Sequence, residues 1–173
     1  MKLKTKEITK SAIATALMCI ISPIAIHIGP IPITFSLLVL FSISLYFSYF
    51  DCAIIFSLYI LLGLIGLPVF SGYLGGANVL FGMTGGFIWS YVISSIVVSY
   101  FSKKYNNIIY KFIICLIGLI ITYALGTMQY CIFTKNNFLS GIMVCVLPFV
   151  IIDLIKIIIS IFIYKNILIK YNI

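Results

Sequence analysis

Long apolar stretches alternate along the chain with short polar or glycine-rich segments. A membrane-spanning helix needs about 20 mostly apolar residues, because the hydrocarbon core of a bilayer is about 30 Å thick. Six stretches approach that length: 9–28, 33–50, 52–67, 83–101, 108–128 and 141–164. The pattern therefore predicts an all-α integral membrane bundle of six transmembrane helices, forming a single membrane domain over residues 1–173.

The third stretch is short and is followed by a glycine-rich segment, GLPVFSGYLGGANVLFGMTGG, residues 66–86. Its glycines and its proline are incompatible with a plain helix, and the segment is too apolar for a free aqueous loop. Irregular backbone at membrane depth occurs only where it is buried in protein or lines a cavity. We therefore expect a glycine-rich capping loop after helix three, folded over the bundle and lining a pocket.

Composition excludes a soluble domain. The chain is 64% hydrophobic and 8% charged, with a mean hydropathy of +1.29, whereas soluble domains carry about 25% charged residues. The net charge of +8 comes entirely from lysine. These lysines lie at the ends of the apolar stretches rather than along one face, which is typical of a protein in contact with a lipid bilayer and speaks against nucleic-acid binding.

The distribution of lysines predicts the orientation of the chain. With six spans, nine lysines fall on one side of the membrane: Lys2, Lys4, Lys6, Lys10, Lys103, Lys104, Lys111, Lys165 and Lys170. The opposite side has only Lys135, and Lys156 lies within the last span. Positive residues favour cytoplasmic loops. Both termini are thus expected in the cytoplasm, and the capping loop is expected to face outside.

Sequence motifs for several kinds of chemistry are absent. The chain has no GxxxxGK[ST] nucleotide-binding motif, one histidine and five cysteines without a CxxC pair. Such a set supports neither a metal centre nor a Ser-His-Asp or Cys-His catalytic arrangement. We therefore predict no catalytic residues, no metal and no cofactor, and interpret the cysteines as small apolar residues within helices.

Two charged residues interrupt the last apolar stretch, although the chain has only three acidic residues. Asp153 and Lys156 are spaced i, i+3, so on a helix they share one face and can pair. The last predicted span enters from outside near Gly141, so by helical rise Asp153 is expected ~18 Å below that end, near the middle of the bilayer. Three interpretations remain open: a ligand site, a buried ion pair that holds helices together, and a proton or ion relay. As a ligand site, the pair suits a urea-like group, which needs both an acceptor and a donor.

Other polar and aromatic residues are weaker candidates. Asn78, in the capping loop, could donate an amide N–H to a ligand or serve as a turn residue. Thr34 could cap the second helix instead of contacting a ligand. His27 and Gln129 lie near predicted helix ends. Trp89 could belong to an interfacial aromatic belt or to the wall of an apolar pocket.

The first stretch contains small residues at helical spacing. Ala12 and Ala16 are four residues apart, and such pairs let a second helix approach closely. They are either ordinary helix residues or a docking face for a partner membrane protein. A transport protein without its own nucleotide-binding motif would need such a partner if its transport is driven by ATP.

Four sequence segments together resemble the BioY family, the biotin-specific substrate-binding (S) components of energy-coupling-factor (ECF) transporters. The segments are PIPIT (30–34), GLPVFSGYLGG (66–76), GMTGGF (82–87) and LPFVIIDLIK (147–156). They occur in the family's order and spacing, and the resemblance covers essentially the full length.

The resemblance implies a six-helix S component of a multi-pass bacterial plasma-membrane transporter. It implies that Asp153 and Lys156 contact the ureido ring of biotin, and that Ala12 and Ala16 dock on a transmembrane coupling protein attached to two cytoplasmic ABC ATPases. ATP hydrolysis would make the S component topple and release biotin inside. The remaining residues predicted to bind biotin are Asn78, Thr34, Tyr73, Gly75, Phe87 and Trp89.

The chain departs from the family pattern at some positions. Ser36 stands where the family often has Gln, Val-Ile-Ile stands directly before Asp153 where a Gly often lies, and arginine is absent. These departures bear on affinity and leave the Asp–Lys pair intact. The alternatives are an S component for another vitamin, a structural membrane subunit with a buried ion pair, and a proton-coupled carrier.

Overall fold

Helices make up most of the structure, a computed structural model that describes residues 5–26, 31–105 and 107–171. Within these ranges the helices are α1 (Thr5–Ile21), α2 (Ser36–Tyr46), α3 (Tyr49–Leu64), α4 (Ala77–Leu80), α5 (Gly85–Ser102), α6 (Ile108–Thr134), α7 (Phe138–Cys145) and α8 (Val150–Tyr171). Two short strands, β1 (Ala25–Ile26) and β2 (Ile33–Thr34), pair in antiparallel fashion between α1 and α2. His27 and most of the turn between these strands lie outside the described residues.

Helix α5 is the central element of the bundle. It packs against α2, α3 and α6, while α8 packs against α2 and α6. The buried face of α5 carries five serines beside Ile88, Tyr91 and Val98. Ser94 donates a hydrogen bond of 2.8 Å to the carbonyl of Gly118 in α6, and Ser99 donates one of 2.6 Å to the carbonyl of Phe47. Small residues allow close helix approach, and their bonded hydroxyls avoid the penalty of a bare polar group in an apolar interior.

The outer surface of the bundle is apolar. Isoleucines on different helices are largely exposed, for example Ile20, Ile120 and Ile151 at 69%, 65% and 72%. Such a surface requires an apolar solvent. By length and composition, α5 and α6 can each cross a membrane, and α7 and α8 together would form a third crossing with a bend. Each of the six predicted spans overlaps a helix of at least 11 residues, the shortest being α2.

The last predicted span is divided in two. Residues 141–164 were expected to form one helix, but α7 ends at Cys145, α8 begins at Val150, and the two axes differ by 56°. Pro148 explains the break, because it lacks an N–H and disfavours helical geometry at Leu147. Asp153 therefore lies in the first turn of α8. The depth of ~18 Å, which assumed an unbroken helix from Gly141, is wrong.

The segment between α3 and α5 forms only one short helix, α4. Three glycines in it have positive φ angles: Gly66 (100°), Gly72 (73°) and Gly76 (94°). These angles strain other residues, so the glycines let the chain reverse direction repeatedly. Phe70 and Leu74 form an isolated bridge within the segment. The capping loop was predicted over residues 66–86; from here on the name is kept for residues 66–76, which precede α4.

Candidate functional site

A cavity lies between the helices, and six of the eight described helices contribute to its lining. It is lined by residues of α2, α3, α5, α6, α7 and α8, of the connection before α2, and of the capping loop. One part of the wall is apolar and aromatic, with Phe87, Tyr91 and Phe149. Another part carries Asp153 and Lys156. The cavity thus combines an apolar body with a small number of polar groups, as small-molecule sites usually do.

Asp153 and Lys156 form a buried ion pair. The Lys156 Nζ lies 2.6 Å from the Asp153 Oδ1, and the exposed fractions of the two side chains are 8% and 4%. The second carboxylate oxygen is also bonded, since the Tyr123 hydroxyl of α6 donates to the Asp153 Oδ2 at 2.6 Å. The carboxylate is therefore fixed in position by two donors from two different helices.

The pair keeps hydrogen-bonding capacity for a ligand. A carboxylate has about four lone-pair sites and an ammonium group three N–H donors. The bonds that we observe at Asp153 use two of these sites, and its bond with Lys156 uses one N–H. The site can consequently accept and donate hydrogen bonds side by side within one cavity wall.

The break before α8 contributes to the electrostatics of this wall. A helix N-terminus carries partial positive charge from its unpaired backbone N–H groups, which favours a nearby carboxylate. Asp153 lies in this first turn and its own N–H bonds the Phe149 carbonyl at 2.8 Å. The proline that interrupts the predicted span thus places the carboxylate where the helix dipole stabilises its charge.

The structure brings four of the predicted site residues together and separates the others. Asp153, Lys156, Thr34 and Phe87 all line the cavity. Thr34 lies in β2, and the residue that caps α2 is Phe35, without a side-chain bond. The capping role considered for Thr34 is therefore wrong.

Asn78, Tyr73, Gly75 and Trp89 are not among the residues that line the cavity. Asn78 is exposed in α4, and the Tyr73 side chain is 67% exposed. Gly75 packs against the backbone of the capping loop itself, where a Cβ would collide with the Leu67 carbonyl. In this conformation, the four residues lie outside the cavity wall.

Two side chains fix the backbone that follows the capping loop. The Gln129 Nε2 of α6 donates to the carbonyls of Leu80 and Gly82, at 3.0 and 2.7 Å. The Trp89 Nε1 donates to the same Leu80 carbonyl at 3.1 Å. Both side chains, considered as ligand contacts from the sequence, here hold the α4–α5 connection in place.

Several polar residues that line the cavity were not among the predicted site residues. Tyr123 is the most important, because it bonds Asp153 across 30 positions in sequence. Ser22, Ser36 and Tyr59 add a group of hydroxyls. A tyrosine in the middle of an apolar span was the available signal for Tyr59 and Tyr123, but the chain has 12 tyrosines and the pattern does not rank them. Within the described ranges, no three His, Cys, Asp or Glu side chains cluster as metal ligands would.

The bundle and its cavity define a class of protein: an apolar-surfaced membrane protein that binds a small, partly polar molecule between its helices. Comparison with known proteins narrows this class. The sequence matches the BioY family over residues 1–172, and the chain belongs to this family.

Named relatives and a solved structure agree with this assignment. The chain is 33% identical to "Biotin transporter BioY2" of Lactococcus lactis subsp. cremoris, over 88% of this chain and 85% of that protein. It is 32% identical to "Biotin transporter BioY" of Thermotoga maritima, over 90% and 91%. The fold matches the crystal structure of the S-component for biotin from an ECF-type ABC transporter with a TM-score of 0.89 and 26% identity, covering 96% of this chain and 94% of that one.

Proposed function

We propose that the chain is the biotin-binding S component of an ECF-type transporter and that biotin occupies the cavity around Asp153 and Lys156. The observation that carries this proposal is the buried pair, fixed by Tyr123 within the cavity, in a chain whose relatives are named biotin transporters. The activity is transport of a bound molecule, and the chain is not an enzyme.

The chemistry of biotin fits the two parts of the cavity. The N–H groups of its ureido group can donate hydrogen bonds to the Asp153 carboxylate. The ureido carbonyl can accept a hydrogen bond from the Lys156 ammonium group. The thiophane ring of biotin and the methylene groups of its valeryl chain are apolar and suit the aromatic wall with Phe87. Thr34 adds a hydroxyl on the same cavity. Asn78, Tyr73, Gly75 and Trp89 remain predictions, which would require the loop region to close further around the ligand.

Transport requires an energy source that the sequence does not contain. We propose that α1 docks on a transmembrane coupling protein bound to two cytoplasmic ABC ATPases, and that ATP hydrolysis topples the S component to release biotin inside. Ala12 and Ala16 lie on the exposed face of α1. Small residues on an exposed apolar helix face favour close packing by a partner helix.

The lysine distribution supports an orientation for this transporter. We propose that the six predicted spans place both termini in the cytoplasm of a bacterial cell, so that the capping loop faces outside and biotin enters from there. Labelling of single cysteines introduced at Lys104 and Lys135 with a membrane-impermeant reagent tests this, in a variant whose five native cysteines are replaced. Labelling of position 135 alone is expected in intact cells.

Calorimetry on the purified protein in detergent tests the substrate and the site. We expect tight binding of biotin, retained binding of desthiobiotin, which keeps the ureido group, and no binding of thiamine. Asp153→Asn and Lys156→Ala are expected to lose at least 100-fold in biotin affinity, because each leaves a buried charge or ligand group unpaired. Asp51→Asn is the matched control, since Asp51 bonds Ser48 at the start of α3.

A folded sample that binds thiamine or another vitamin instead of biotin would support an S component with different specificity. Failure of a folded sample to bind any such ligand would return the pair to a structural or relay role.

A further inference from the structure

Three buried hydroxyl groups form a continuous chain beside the cavity. The Ser36 Oγ lies 2.7 Å from the Ser22 Oγ, which lies 2.6 Å from the Tyr59 hydroxyl. The Tyr59 hydroxyl in turn donates to the carbonyl of Val69 at 3.1 Å. Ser22 and Ser36 are each 1% exposed, and so is Tyr59. The chain of bonds thus joins the end of α1, the start of α2, the middle of α3 and the capping loop.

The direction of these hydrogen bonds follows from counting protons. Each hydroxyl has one proton to donate, and a carbonyl oxygen can only accept. If the Tyr59 proton goes to Val69, Ser22 must donate to Tyr59 and Ser36 must donate to Ser22. All three contacts are hydrogen bonds only in this one direction. Ser36, which lines the cavity, is therefore left with acceptor capacity alone.

The capping loop is tied to the bundle at the same place by its backbone and by ring packing. The Gly72 N–H donates to the carbonyl of Pro23, the neighbour of Ser22, at 2.9 Å. The ring of Phe70 stands edge-on to the ring of Tyr59 with centroids 5.5 Å apart. Ser71, between these two attachment points, lines the cavity. The position of this part of the cavity wall therefore depends on how the loop is held at Val69–Gly72.

We propose that Tyr59 is a positioning residue for the ligand: through its bond to Val69 it holds the capping loop against the cavity and slows the escape of the bound molecule. The Ser22 hydroxyl donates to Tyr59 without taking the proton that Tyr59 gives to Val69, and Ser36 presents an acceptor to the ligand at the other end. The inference rests on the proposed function for the nature of the ligand, but the attachment of the loop can be tested without any ligand.

Tyr59→Phe isolates the hydroxyl, because the ring and its packing on Phe70 persist. In ligand-free protein we expect hydrogen–deuterium exchange of residues 66–76 to accelerate about 2- to 10-fold, the range for loss of one net hydrogen bond. The dissociation rate of biotin is expected to rise by a similar factor of about 2- to 10-fold. Tyr130→Phe is the matched control: Tyr130 is also buried and does not line the cavity.

Ser22→Ala is the second variant, since it removes the middle hydroxyl and leaves the bond between Tyr59 and Val69. We expect loop exchange within about 2-fold of wild type in this variant. The proposal would be overturned if Tyr59→Phe kept the wild-type rates of loop exchange and biotin dissociation. It would also be overturned if loop exchange accelerated equally in Ser22→Ala and Tyr59→Phe.

The wild-type protein provides a test that does not depend on the folding of a variant. Saturating biotin is expected to slow exchange of residues 66–76, and an unchanged rate with biotin bound would also overturn the proposal. Absence of biotin binding to wild type would contradict the proposed function instead, while the ligand-free comparison of variants would still decide the role of Tyr59.

Discussion

The buried pair of Asp153 and Lys156 has a binding role and a structural role that a double-mutant cycle can separate. Asp153→Asn alone leaves an ammonium group in an apolar interior, and Lys156→Met alone leaves a carboxylate without its cationic partner. Breaking a buried ion pair on one side costs about 3–5 kcal/mol, because an uncompensated charge remains. Removing both charges is often close to neutral.

The cycle therefore predicts a characteristic pattern of stability. Each single variant should unfold at a temperature lower by about 6–20 °C, from 2–4 °C per kcal/mol for a chain of this size. The double variant Asp153→Asn/Lys156→Met should regain most of that loss. Thermal unfolding in detergent gives the stabilities, and calorimetry on the same samples gives biotin affinity.

Binding should follow a different pattern from stability. The double variant lacks both charged partners for a ureido group, so we expect no recovery of biotin affinity. A double variant no more stable than the singles would refute the energetic coupling of the two charges. Wild-type affinity in a stable double variant would refute their role in binding.

Three further substitutions probe other parts of the fold. Ala16→Leu should abolish biotin uptake and co-purification with a coupling protein, and biotin affinity should stay unchanged. Loss of biotin affinity in this variant would contradict a docking role. Gln129→Glu removes both N–H donors to the α4–α5 connection and should lower the free energy of unfolding by about 2–4 kcal/mol. Thermal unfolding measures this loss, with Gln129→Lys, which keeps a donor, as the comparison. Gly126→Ala places a methyl group against the Phe87 ring; we expect about 1–3 kcal/mol of destabilisation and weaker biotin binding, and an unchanged protein would mean that the ring moves freely.

Residues close in sequence and on one helix could be assigned from the sequence. The i, i+3 spacing of Asp153 and Lys156 predicted their pairing, because helical geometry is local. The break between α7 and α8 was also visible in the sequence as Pro148, but the apolar run around it favoured one continuous span. Hydropathy measures affinity for lipid, and it does not register the loss of a single backbone N–H.

Contacts between helices could not be assigned in this way. Tyr123 is one of many tyrosines, and only the packing of α6 on α8 brings its hydroxyl to Asp153. Asn78 carries a suitable amide close to the capping loop, yet it lies exposed in α4 and does not line the cavity. Backbone angles at glycine are weakly restricted, so the sequence does not define where such a loop points.

The sequence by itself determined the membrane environment, the helical class and the presence of a buried charged pair. These properties depend on composition and on local periodicity, which each segment carries independently of the others. Only the tertiary structure decided which hydroxyl supports Asp153, that Ser22, Ser36 and Tyr59 join into one chain, and which loop residues reach the cavity. Such properties depend on the relative positions of segments distant in sequence, which are set by close packing of whole helices rather than by any one segment.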